Sequence, residues 1–108
     1  MEKRPRQGDV YWVDLGEASG VRPVVILTRT QAIGRLSNVT VAPITSTIRG
    51  IDTEVEIELP TVSGRRVVSL DNIITIEKRL LIDHLATLAN DDLDQVFGAI
   101  HAAFDMPF

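Results

Sequence analysis

The feature that most limits the possible folds is a short apolar run, Val24-Val25-Ile26-Leu27, which follows Arg22 and Pro23. An unbroken run of β-branched and aliphatic residues behind a proline is typical of a strand buried on both faces. Proline also pushes the residue before it, Arg22, into an extended conformation. A permanently charged guanidinium at the mouth of such a strand can close an ion pair at the edge of the core or bind an anion.

Residues 8–15, 38–44 and 53–59 alternate with the period of two that predicts a β-strand, most cleanly in residues 53–59. Residues 65–70 predict a further strand, and the apolar run 73–76 follows a polar kink at Asp71-Asn72. Pro43 indicates that its strand lies at an edge or is bulged there, and Ser63-Gly64 predicts a turn. Residues 30–37 predict a loop or one helical turn. Three outward glutamates in residues 53–59 indicate a charged edge strand rather than a metal site.

The last third of the chain predicts helices. A short helix is predicted from Glu77 to about His84, and a longer one begins near Asn90, capped by Asn90 or Asp91. The apolar face of the longer helix is predicted from helical spacing to contain Leu93, Val96, Phe97, Ile100 and Phe104. The tail Met106-Pro107-Phe108 is expected to pack back on the sheet or to add to a partner surface.

Length and composition exclude several classes of protein. A chain of 108 residues predicts one domain, spanning 1–108. There is no cysteine, which excludes disulfides, zinc–thiolate sites and cysteine nucleophiles and fits a cytoplasmic protein. The charged N-terminus is followed by no apolar stretch long enough for a signal peptide or a membrane span.

The charge is distributed unevenly along the chain. The net charge is −4, yet residues 1–49 hold seven basic and four acidic residues, and residues 50–108 hold four basic and eleven acidic residues. A polyanion is therefore expected to meet the first half of the chain, and binding there should weaken with salt.

The chain has no Gly-rich phosphate loop, no Gly-x-Ser-x-Gly and no metal-ligand cluster. The polar residues that remain as site candidates each adjoin a predicted strand: Arg22 before one, Thr45 and Ser46 after another, and Asp71 after a third. Trp12 is expected to pack in the core, with base stacking as the functional alternative.

Four blocks of this sequence, in this order, resemble the successive blocks of the MazF/PemK toxins. They are Gly8–Leu15, Gly20–Ile26, Val41–Ser46 and Asp71–Leu80, and the likeness extends from Gly8 to the C-terminal helix. The fold that this resemblance implies is mainly β with some α: an SH3-like barrel of the CcdB/PemK type, built of antiparallel strands with short helices and a C-terminal helix.

The resemblance implies a homodimeric endoribonuclease that needs no metal and no other cofactor. Its substrate would be single-stranded RNA, cleaved at short sequences to a 2′,3′-cyclic phosphate and a 5′-hydroxyl. Its partner would be a MazE-like antitoxin, which lays a flexible acidic segment over the dimer and blocks the site.

Site residues follow from the same resemblance. The catalytic arginine of the family falls on Arg22, its hydroxyl partner on Thr45 with Ser46 beside it, and an acid–base carboxylate of some members on Asp71. A guanidinium resists deprotonation, so we expect Arg22 to stabilise charge and to assist the leaving group. Two candidates for the general base are left, Asp71 and a water molecule.

The predicted RNA contacts are Arg6, Trp12, Arg29 and Arg49. The sequence departs from the family pattern at Gln7, Arg29 and Ile74, so these positions bear on sequence specificity and catalytic strength. Two alternatives use the same fold without catalysis: a CcdB-like poison of DNA gyrase, and a silent paralogue that only binds antitoxin.

Overall fold

The computed structural model describes residues 4–106. They form one antiparallel sheet and two α-helices. The elements, in chain order, are β1 (Asp9–Asp14), β2 (Val21–Ile26), α1 (Thr30–Ile33), β3 (Asn38–Thr45), β4 (Glu54–Leu59), β5 (Val62–Ser69), β6 (Ile74–Glu77), β7 (Leu81–Thr87) and α2 (Asn90–Phe104), with 3₁₀ turns at Leu70–Asn72 and Lys78–Leu80. The short α1 agrees with the predicted loop or single helical turn.

The strands pair in the order β4-β5-β3-β2-β1-β7, and β6 pairs with the first half of β3. Every pairing among the described residues is antiparallel. The sheet curls into a half-barrel, with α2 packed against β4 and against the 3₁₀ turn after β5. The predicted fold class, a mainly β barrel-like sheet with short helices and a C-terminal helix, is therefore confirmed.

Strand β2 is buried on both faces, as its sequence predicts. Val24, Val25 and Ile26 are each fully buried. Because side chains alternate along a strand, Val25 packs into the apolar cluster that includes α2, while Val24 and Ile26 pack into a second cluster on the other face of the sheet. Arg22, near the start of the same strand, is exposed. Strand β2 thus contributes side chains to both apolar clusters, and its second residue, Arg22, is exposed at the surface.

Strand β3 is internal, although Pro43 predicted an edge or a bulge. On one side β3 pairs with β2 through Pro43 opposite Val24. On the other side its partner changes, from β6, which pairs as far as Val41, to β5, which begins at Ile44. Pro43 falls in this gap, where neither β5 nor β6 pairs with it. Its missing N–H therefore costs no hydrogen bond to a strand on that side.

The turn between β4 and β5 lies earlier than Ser63-Gly64, where the sequence predicted it. It is formed at Pro60 and Thr61, and Thr61 has a φ of 63°. Gly64, with a φ of 90°, lies inside β5 where the register with β4 shifts. The irregularity adds two residues to β5, because Leu59 pairs with Val62 and Ile57 with Arg66, so Val62 and Arg66 stay on the same face of the sheet. The outward glutamates of β4 form the predicted charged edge of the sheet.

His84 lies on strand β7, and the predicted helix from Glu77 is wrong beyond its first 3₁₀ turn. Pairing with β1 outweighs the local helical tendency of this segment. The strand meets a fully buried carboxylate, Asp9, which accepts bonds from the Thr87 hydroxyl at 2.7 Å and the Arg6 N–H at 2.9 Å. The His84 ring lies edge-on to Tyr11. These contacts tie β7 and the N-terminal segment to β1.

Helix α2 begins at Asn90, as predicted, but its N-cap is Ala89 and no side chain caps it. Val96 is fully buried on the predicted apolar face, whereas Phe104 at the far end is 63% exposed. The predicted role of the apolar tail falls on Pro107 and Phe108, which lie outside the described residues. Within residues 4–106, none of the helices has the length and apolar character needed to span a membrane.

Candidate active site

A cavity of about 560 Å³ opens where the ends of β2, β3 and β5 meet the loop between β1 and β2. It brings together four of the residues that the sequence singled out, Arg22, Thr45, Ser46 and Trp12. The other residues that line it are Leu15, Ser19, Val21, Pro23, Pro43, Ile44, Thr47, Val62 and Arg66. The described lining holds two arginines and no carboxylate, so the cavity is cationic in a protein of net charge −4.

Sheet register explains why Arg22 and Thr45, which are far apart in sequence, share this cavity. Val24 pairs with Pro43 between β2 and β3. Continuing that antiparallel register by two residues brings Arg22 opposite Thr45 on the same face of the sheet. Arg22 is exposed, and its side chain forms no ion pair within residues 4–106. The guanidinium is therefore placed for anion binding, and the ion-pair interpretation of Arg22 is not supported.

The hydroxyl of Thr45 is oriented by its own turn. Its Oγ1 accepts a hydrogen bond from the Thr47 backbone N–H at 3.0 Å. A hydroxyl oxygen that accepts from the backbone keeps its own hydrogen for donation to another group. The turn thus gives the cavity a donor next to Arg22, and Ser46 adds a second hydroxyl at its rim.

Asp71 lies outside the described lining of this cavity. It sits on the 3₁₀ turn after β5, where its Oδ2 accepts the Thr53 hydroxyl at 2.5 Å. Thr53 is buried, so this bond holds the turn against the start of β4. Of the four predicted catalytic residues, the fold brings three into one cavity and leaves Asp71 beside Thr53.

The predicted RNA contacts are divided among different surfaces. Trp12 lines the cavity, half-buried and paired across the strands with Pro23. Arg6 and Arg29 lie on adjoining grooves that share Gln31 and Arg35, near the opposite end of β2. Arg49 is exposed in the loop before β4, and its backbone N–H donates to Glu54 at 2.9 Å.

Arg66 is a cavity residue that sequence reasoning missed. It follows the bulge in β5 and is half-buried. The pattern of β5 contains two successive arginines, and only the register with β4 shows which one faces the cavity.

No three His, Asp or Glu side chains within the described part of the chain are grouped so that they could hold a metal ion. The side chains of the cavity lining that can donate hydrogen bonds include the guanidinium groups of Arg22 and Arg66 and the hydroxyls of Thr45 and Ser46. Both act as hydrogen-bond donors, and guanidinium matches the geometry of phosphate oxygens.

Comparison with known proteins identifies the relatives of this chain. Residues 6–104 match the family model described as the PemK-like, MazF-like toxin of type II toxin–antitoxin systems. A relative from Mycobacterium tuberculosis named "Probable endoribonuclease MazF5" is 36% identical over 107 residues, which cover 97% of this chain and 97% of that protein.

Solved structures show the same likeness. The M. tuberculosis toxin MazF-mt6 superposes with a TM-score of 0.84 and 37% identity, covering 93% of this chain and 99% of that one. A mycobacterial endoribonuclease solved in complex with its cognate antitoxin gives a TM-score of 0.85 at 28% identity, covering 97% and 99% of the two chains. The resemblance seen in the sequence is confirmed, and the chain belongs to the PemK/MazF family of toxins of type II toxin–antitoxin systems.

Proposed function

We propose that this toxin is an endoribonuclease that cleaves single-stranded RNA without a metal ion, in the cavity formed by Arg22, Thr45 and Ser46. The observation that carries the proposal is a cationic cavity in an acidic protein, lined by hydrogen-bond donors and by no carboxylate among its described residues. A phosphodiester is the anion that such donors fit. The relatives named as endoribonucleases support the same activity.

The reaction needs few groups from the protein, because RNA carries its own nucleophile. The 2′-hydroxyl attacks the adjacent phosphorus, the bond from phosphorus to the 5′-oxygen breaks, and a 2′,3′-cyclic phosphate and a 5′-hydroxyl form. Arg22 and the Thr45 hydroxyl donate to the phosphate oxygens on which charge develops. We expect Arg22 also to stabilise the departing 5′-oxygen, which takes up a proton from solvent, while the proton of the 2′-hydroxyl passes to the base.

Two proton acceptors are compatible with this scheme, Asp71 and solvent. The position of Asp71, bonded to Thr53 outside the cavity lining, favours solvent. We expect Asp71→Asn, which keeps the shape of the side chain, to lower kcat less than tenfold. Loss of a true general base typically costs about 10²–10⁴-fold, so a loss of that size would assign the base to Asp71. Single-turnover cleavage rates between pH 5 and 9 would measure the difference.

RNA contacts beyond the cavity are proposed at Arg6, Arg29 and Arg49, with Trp12 as a stacking platform inside it. The grooves that hold Arg6 and Arg29 lie at the far end of β2, so a strand of RNA that reaches both surfaces would run along the sheet. Such contacts to phosphates would make binding weaken as salt concentration rises.

The proposed assembly is a homodimer in the cytoplasm, inhibited by a cognate antitoxin, with the whole chain acting as one catalytic domain. Two observations support partner contacts: Phe104 and Ile82 are 63% and 51% exposed, and both are large apolar residues. The mycobacterial relative was solved with its antitoxin, which supports a protein inhibitor for this chain too.

Cleavage in EDTA tests the proposed function. Purified protein is incubated with a long RNA in EDTA, and the new ends are mapped by primer extension. We expect cleavage at a short recurring sequence, with 5′-hydroxyl ends that a polynucleotide kinase labels without phosphatase treatment. The chemistry requires no metal because the nucleophile belongs to RNA and the arginines supply the positive charge. Intact RNA, or cleavage only after a divalent metal is added, would contradict the proposal.

A further inference from the structure

Two successive arginines of β5 lie in opposite environments. Arg65 points away from the cavity and forms a two-bond ion pair with Glu56, at 2.8 Å from Nη2 and 3.1 Å from Nε. This hydrogen bonding lowers the pKa of Glu56 and raises the pKa of Arg65. Arg65 is therefore a surface cation whose charge is already balanced by a neighbour.

Arg66 faces the cavity, and its side chain forms no ion pair within residues 4–106. Its Nε is buried and forms no hydrogen bond to any of the described residues. A buried donor without a partner costs free energy, so a side chain that keeps one is suited to an acceptor that arrives with a ligand. The half-buried stem holds the guanidinium in place, which lowers the entropy lost when an acceptor binds.

The position of Arg66 relative to Arg22 follows from the sheet. Thr45 pairs with Val67 between β3 and β5, and continuing this register brings Arg66 beside Ser46. Arg22 lies on the other side of β3, so two strand spacings, about 10 Å, separate the backbones that carry the two arginines. Thr45 and Ser46 are successive residues, so by alternation Arg22 and Arg66 reach the cavity from opposite faces of the sheet at the end of β3.

We propose that Arg66 binds the RNA phosphate next to the scissile one, while Arg22 and Thr45 act on the scissile phosphate. This inference rests on the proposed ribonuclease function and adds a second phosphate position to its site. The absence of a carboxylate from the described lining leaves both guanidinium groups available to a polyanion. Arg66 is thus a substrate-binding residue whose contact is made equally in the ground state and the transition state, so its loss raises KM rather than lowering kcat.

Arg66→Gln tests the proposal, with Arg65→Gln as a matched control that removes the same charge from the adjacent residue on the other face. We expect Arg66→Gln to raise KM for RNA about tenfold with kcat changed less than twofold, and Arg65→Gln to leave both nearly unchanged. Circular dichroism and thermal unfolding of both variants check that the fold is kept.

The salt dependence of binding gives a second measurement. A structural defect would not change the slope of log Kd against log salt concentration. The probe is a single-stranded DNA of the mapped cleavage sequence, which lacks the 2′-hydroxyl nucleophile and stays intact. In a plot of log Kd against log salt concentration, Arg66→Gln should lower the slope by about 0.7, the value for one lost contact to a single strand. Arg66→Lys keeps the charge and should keep the slope, even if the loss of the planar fork weakens binding.

The outcomes separate this inference from the proposed function. If wild-type protein neither cleaves RNA nor binds the probe, the proposed function fails. If wild type cleaves and Arg66→Gln behaves like Arg65→Gln, the second phosphate position is wrong and the cavity has one working arginine. A loss in kcat at constant KM would also overturn it, because Arg66 would then act on the scissile phosphate.

Discussion

Arg22→Ala is expected to lower kcat for RNA cleavage by about 10²–10³-fold, the typical cost of removing one preorganised donor from a developing oxyanion. Arg22 is the guanidinium that the register places beside Thr45, and the side chain has no competing ion pair within residues 4–106. Single-turnover cleavage in EDTA measures the loss directly. Arg22→Lys should recover only part of the rate, because lysine keeps the charge and loses the planar pair of donors.

Measuring the stability of the Arg22→Ala protein shows whether a loss of activity comes from a loss of folding. The side chain is exposed, so we expect the free energy of unfolding to change by less than about 0.5 kcal/mol. Undiminished cleavage by a folded Arg22→Ala protein would show that the site has been assigned to the wrong residue.

Ile26→Ala is expected to lower the free energy of unfolding by about 2–5 kcal/mol. Ile26 is fully buried in the cluster on the face of the sheet away from α2, and the shortened side chain would leave a cavity there. For a domain of this size such a loss is a large fraction of the total stability. Urea unfolding followed by tryptophan fluorescence from Trp12 measures it.

The matched control is Ile51→Ala, since Ile51 is 44% exposed in the loop before β4. It should change stability by less than about 0.5 kcal/mol. Both variants are compared at the same protomer concentration, because association of copies would add to apparent stability. Equal effects of the two substitutions would mean that β2 is not the centre of the core.

The two substitutions separate the two jobs of β2. Arg22 and Ile26 lie four residues apart on one strand. The Arg22 substitution should lower activity and leave stability unchanged, and the Ile26 substitution should lower stability. A strand anchored in two apolar clusters is a rigid support, and rigid supports hold catalytic donors at the precise positions that rate enhancement needs.

Much of the fold was predictable from local pattern. The apolar run after Pro23, the alternation of β4 and the helical spacing of α2 each depend on neighbours in sequence, and the structure confirms all three. The family was also recognisable, because four blocks in order carry more information than any block alone. Local pattern failed at His84, where pairing with β1 made a strand from residues that predicted a helix.

The candidate site was only partly predictable. Arg22 and Thr45 could be named from the sequence through family resemblance, but their meeting depends on the register between β2 and β3. Arg66 could not be chosen over Arg65, because only the pairing of Arg66 with Ile57 shows which arginine lies on the face of the sheet that opens into the cavity. The position of Asp71 beside Thr53 likewise depends on how the turn after β5 packs against β4.

The sequence by itself determined that Arg22 stands at the mouth of a strand buried on both faces, since proline and a β-branched run dictate this locally. Only the tertiary structure decided which groups share a cavity with it. Alternation along a strand has a period of two and carries no record of the partner strand, so a shift of one residue would reverse every face. The register of β2, β3 and β5 therefore selected Thr45, Ser46 and Arg66 as the neighbours of Arg22.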